Sequence, residues 1–186
     1  MAIVKIMKKI LLVLAVMVCA VMATPCYGKG KVVKGSPKTL DSLSYITGMM
    51  VGVTLLEQNA LPISDMSFDD LNKGVENSLL RKSKITAAEA DKENTAILEA
   101  AYNRAVSNVI KQGGKADQTL LQFSKAESKK ISYNVGVTLG EYILSTIEAE
   151  DFTIHCYWLC RAIDDVCVKQ SPMLTIQQVN DFVDRH

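Results

Sequence analysis

The chain has 186 residues, 21 of them basic and 20 acidic, and its hydrophobic residues make up 48% of the sequence. That length accommodates one domain or two small intertwined ones. Charge is nearly balanced, and no basic stripe exists beyond the short arm of Lys29, Lys31, Lys34 and Lys38, which argues against a nucleic-acid partner.

In chain order, the first element is a leader. MAIVKIMKK carries three lysines, and Ile10 to Ala23 then run apolar without a charge. A hydrocarbon core needs roughly 20 residues of helix, so this run is too short to span one. A basic start, a short apolar run and small residues beyond it describe an export signal over residues 1–28. Val21-Met22-Ala23 and Cys26-Tyr27-Gly28 both offer cleavage sites, while Val18 and Pro25 disfavour lipidation at Cys19 or Cys26. The expectation is a periplasmic or secreted chain with no membrane span after cleavage. Setting Lys5, Lys8 and Lys9 aside leaves 18 basic against 20 acidic side chains. Residues 29–39 read as a solvated linker.

Next comes SYITGMMVG from Ser44, and SYNVGVTLG from Ser132 repeats it at an offset of 88 residues. The register holds onward: Leu56 meets Leu144, Met66 meets Ile154, Leu71 meets Leu159, Gly74 meets Ala162 and Asn77 meets Asp165. One inserted residue near Pro172 sets Thr86 opposite Thr175. Self-similarity at a fixed offset marks duplicated units, here residues 40–114 and 115–186.

Both units read as helical. Leu43, Ile46, Met50 and Val53 keep the spacing of an amphipathic helix. Asp65 or Ser67 caps a second helix holding Phe68, Leu71, Val75 and Leu79. Thr86 with Glu89, and Thr175 with Gln178, form capping boxes that open third helices. The first of these runs to Gly113-Gly114, and a further helix restarts near Ala116. No stretch alternates with period two and no hairpin signal occurs. The predicted fold is all-α: two tandem three-helix units, interlocked as an internal pseudo-dimer and preceded by a signal peptide.

The repeated phrase carries the argument for interlocking. Tyr45, Gly48 and Gly52 share one helical face, and Tyr133, Gly136 and Gly140 repeat it. A glycine inside a helix costs about 1 kcal/mol relative to alanine, so close approach of another backbone must offset it. These six residues form the predicted helix-crossing interface, packed on each other or on each other's units.

SYxxGxxxG, then Phe68-Asp-Asp-Leu-Asn-Lys-Gly74 and Ile85-Thr86-Ala-Ala-Glu89, resembles the N-terminal domain of FKBP-type peptidyl-prolyl isomerases of the macrophage-infectivity-potentiator class. The resemblance covers residues 40 to about 112 and, more weakly, 128 to 186. It implies an interlocking dimerisation domain that helps hold unfolded or proline-containing polypeptides. The family's catalytic β-sheet domain has no counterpart here, so no catalytic residue is carried over. The second unit also departs from the pattern at Ala162, His155 and Cys156. The reading that follows is a non-catalytic, chaperone-like accessory that self-associates. Isomerase activity, or a scaffold that pairs with a full-length FKBP-type isomerase, is the alternative.

HCYWLC, from His155 to Cys160, is the remaining place for chemistry. A structural zinc takes four ligands, and only Cys167 and His186 could complete a set, so neither metal nor cofactor is expected. Cys156 and Cys167 read as small core residues. In an oxidising compartment disulfides are available, yet Cys156 and Cys160 on one helix have poor geometry for one, and spacing does not decide the pairing of Cys26, Cys160 or Cys167. Where the first unit has Asp69, Asp70 and Asn72, the second has Tyr157, Trp158 and Cys160. Exposed, these three would form a partner-binding patch; covered by another element, they would be core. Asp164 and Asp165 adjoin in sequence and do not make a facing acid pair.

Overall fold

The computed structural model describes residues 30–58, 63–111, 121–149 and 153–183. The predicted signal, the Gly113-Gly114 stop and the restart near Ala116 lie outside them. Among the described residues the elements are β1 (Lys31–Val33), α1 (Ser42–Gln58), a single 3-10 turn (Ile63–Asp65), α2 (Phe68–Leu79), α3 (Ala87–Lys111), α4 (Lys125–Ala149), β2 (Thr153–His155), α5 (Cys156–Cys167) and α6 (Ile176–Val183). The chain is mostly helical, as the sequence indicates.

Side chains fix where most of these helices start. Thr86 N donates to Glu89 Oε2 at 2.8 Å while Glu89 N donates to Thr86 Oγ1 at 3.3 Å. Thr175 and Gln178 repeat the exchange at 2.8 and 3.2 Å. A third box was not foreseen: Ser124 N donates to Glu127 Oε2 at 2.8 Å, and Glu127 N returns to Ser124 Oγ at 3.2 Å. It starts α4 at Lys125, because residues 121–124 are not helical. A helix continuing unbroken from the restart near Ala116 into the second SYxxG phrase is therefore corrected at residues 121–124. Arg81 at φ 55 and Gln170 at φ 50 end the second helices in the left-handed region, where the sequence supplies no glycine. Lys82 N and Ser83 N then donate to Asn77 O, and Ser171 N to Asp165 O.

The arm read as a solvated linker is also corrected. Lys31, Val32 and Val33 pair in parallel with Thr153, Ile154 and His155. Three-residue strands are too short to show a period of two, so the sequence pattern could not announce them.

The described residues form two compact units, one being Ser64–Glu141 and the other gathering the residues up to Ile63 and from Tyr142 onward. Neither coincides with a sequence repeat: each combines the first helix of one repeat with the second helix of the other. In the discontinuous unit Tyr45, Val51, Ile154, Leu159 and Ile163 are fully buried; in the continuous one Leu71, Val75 and Val137 are. Burying one such side chain contributes about 1.5–3 kcal/mol.

Candidate functional site

In both units the helix of the SYxxGxxxG phrase runs parallel to the second helix packed on its glycine face, and the contacts recur at the 88-residue offset. In the discontinuous unit a methyl on Gly48 would strike the Leu159 carbonyl oxygen and lie 2.8 Å from Ala162 Cβ. One on Gly52 would lie 2.9 Å from Val166 Cβ. Thus the glycine face of α1 is occupied by α5. In the continuous unit a methyl on Gly136 would strike the Leu71 carbonyl oxygen and lie 2.9 Å from Val75 N, and one on Gly140 would lie 2.7 Å from Ser78 Cβ. There the occupant is α2. Gly74 adds a reciprocal gap, because a methyl at that point would meet the Tyr133 carbonyl oxygen. Each glycine face meets the second helix of the opposite repeat.

The serine that opens each phrase belongs to the same device and was missed at the sequence level. Ser44 Oγ accepts from His155 N at 2.8 Å, and Ser132 Oγ accepts from Ser67 N at 2.9 Å. His155 and Ser67 are the N-cap residues of α5 and α2, and neither makes a side-chain capping bond to the backbone. Its presence at the same place in both copies was the available signal.

The tyrosines differ between units. Tyr133 Oη accepts from Asn77 Nδ2 at 3.3 Å. Tyr45, fully buried, donates to Asp165 Oδ2 at 2.9 Å and accepts from Met173 N at 2.7 Å. Asp165, only 1% exposed, also receives Arg161 Nε at 3.0 Å and Lys169 Nζ at 2.8 Å. Burial alone would push its carboxyl up. The hydrogen bonds from Lys169, Arg161 and Tyr45 outweigh burial and hold it below the ordinary range. Burial pushes the Tyr45 phenol up, and Asp165 adds to that. Asp165 is thus a structural anchor tying α1 to α5 and to the segment leading into α6.

The expected partner patch requires correction at its centre. Trp158 is 6% exposed and turns inward. Its indole Nε1 donates to Thr39 O at 2.6 Å, and its ring lies edge-on to Tyr45 at 6.3 Å and to Tyr157 at 5.1 Å. Tyr157 is 37% exposed and Cys160 is half-buried. The aromatic substitutions relative to Asp69 and Asp70 serve a surface that the N-terminal arm covers.

Cys156 and Cys167 are buried, as expected of core residues. Cys167 Sγ donates to Gly52 O at 3.3 Å, and burial pushes its thiol up to about 11, far from nucleophilic range at neutral pH. Among the described residues no cluster of three His, Cys, Asp or Glu side chains could hold a metal ion, and no helix is long and apolar enough to cross a membrane. The continuous unit has a cavity of about 700 Å³ whose lining includes Ala101, Ala105, Val109 and Phe123 together with Arg104 and Glu127. Arg104 and Glu127 pair with each other at 2.9 Å. Asn134 is another buried polar residue unforeseen from sequence, and its Nδ2 donates to Asn94 Oδ1 at 3.1 Å; the first repeat has Ile46 there.

Family models, curated proteins and solved structures contain no match to this chain.

Proposed function

We propose that the chain is an exported, non-enzymatic helical protein that self-associates and holds other polypeptides, in the manner the resemblance to FKBP N-terminal domains implies. Its two repeats form an internal pseudo-dimer by exchanging second helices, and residues 1–28 are a signal that directs it to the periplasm or beyond the cell. The observation that carries this reading is the reciprocal pairing of Gly48 with Leu159 and of Gly136 with Leu71, equivalent contacts at one constant offset. Both glycine faces are filled by helices of the chain itself, which supports a scaffold reading.

Light scattering of a chemically unfolded protein, diluted into buffer with and without the chain, tests the holding role. Suppressed aggregation at near-stoichiometric ratios is expected, and no suppression would reject it. A protease-coupled assay on a proline peptide tests the enzymatic alternative, and turnover by the isolated chain would favour that alternative instead.

A further inference from the structure

The N-terminal arm is bound almost wholly through its backbone. None of the side chains from Lys31 to Asp41 is buried, and most are exposed. Yet β1 pairs with β2 over three residues. The Tyr157 amide donates to Lys34 O at 3.0 Å, and the Trp158 indole donates to Thr39 O at 2.6 Å. Between these anchors Gly35 takes φ +73, and its α-carbon passes so close to His155 that a methyl would lie 2.9 Å from His155 Cβ.

Groups that recognise only an extended backbone do not read the side chains it carries. Strand addition of this kind takes its affinity from main-chain hydrogen bonds and its selectivity from a few side-chain positions. Within β1 only the β-branched Val32 is half-buried, Lys31 and Val33 being exposed. We propose that β2 with Tyr157 and Trp158 is a binding site for an extended segment of another polypeptide, and that the arm is its built-in occupant. A client strand with a β-branched residue at its centre takes the place of β1 and accepts from the same two N–H groups. This inference rests on the polypeptide-holding reading above and gives it a location.

The occupied site imposes a cost on any incoming strand. Apparent affinity falls by the fraction of molecules in which the arm is lifted. Val32→Pro removes a backbone donor and breaks β1, which lifts the arm. Trp158, the one tryptophan of the chain, then reports the change by a red-shifted emission. A fluorescein-labelled peptide of residues 30–41 should bind full-length Val32→Pro at least roughly tenfold more tightly than it binds the wild-type chain. A proline at the peptide's Val32 position should abolish binding, whereas exchanging its lysines for glutamines should not.

Equal affinity for the two chains, or a Val32→Pro chain with exposed Trp158 that does not bind the peptide, overturns the proposal. Should Val32→Pro lose helical circular dichroism, amide exchange in the wild-type chain decides. The Tyr157 amide exchanging no faster than the interior amides of α5 refutes a displaceable arm, and faster exchange supports it. Aggregation suppression without peptide binding would sink the arm site alone; failure of both would sink the holding role as well.

Discussion

A methyl group at position 48 has nowhere to go. It would overlap the Leu159 carbonyl, a backbone atom that cannot rotate away. Gly48→Ala gains about 1 kcal/mol of helix propensity but forces α1 and α5 apart. A net loss of about 1–3 kcal/mol is expected from overpacking, read by chemical denaturation. Tyr45→Phe and Tyr133→Phe should separate the two tyrosines. The first strips Asp165 of a donor and leaves the Met173 amide without its acceptor, at a cost of about 1–3 kcal/mol. The second loses one 3.3 Å bond to Asn77 and should cost about 1 kcal/mol or less.

Asp165 gives the pH dependence its sign. Its folded pKa lies below the ordinary carboxylate value, so its contribution is present above about pH 4, the unfolded range. The contribution is lost as pH falls through the lower folded value. Asp165→Asn should therefore flatten the decline of thermal stability below about pH 4 while lowering stability at neutral pH. An unchanged acid limb would mean that another carboxylate governs it.

At the scale of elements, each glycine-bearing helix pairs in parallel with the second helix of the opposite repeat, α1 with α5 and α4 with α2. Helix starts were readable because capping is local: Thr86-x-x-Glu89 and Thr175-x-x-Gln178 announce themselves within four residues. Ser124-x-x-Glu127 was equally local but lay under the expected longer helix. Ser124→Ala should lower stability by about 1 kcal/mol, visible as a reduced melting temperature.

For the whole molecule, the exchange makes a distinctive expectation. Gly48→Leu should strip amide-exchange protection from α1 and α5, whereas Gly136→Leu should strip it from α4 and α2. Loss confined to α1 and α2 in the first variant would mean that the helices of one repeat pair with each other after all. The compact units cut across the repeats for the same reason. Sequence similarity records duplication, while compactness records contact.

From the amino acids alone came the helical class, the capped starts of α3 and α6, the duplicated phrase and the faces bared by Gly48, Gly52, Gly136 and Gly140. All of these follow from periodicity, capping and spacing within a few turns of chain. Tertiary structure alone decided that each bare face receives the opposite repeat's second helix, that Trp158 turns inward under Thr39, and that Lys31–Val33 is a strand. Those outcomes depend on partners 65 to more than a hundred residues away, whose arrival no local pattern encodes.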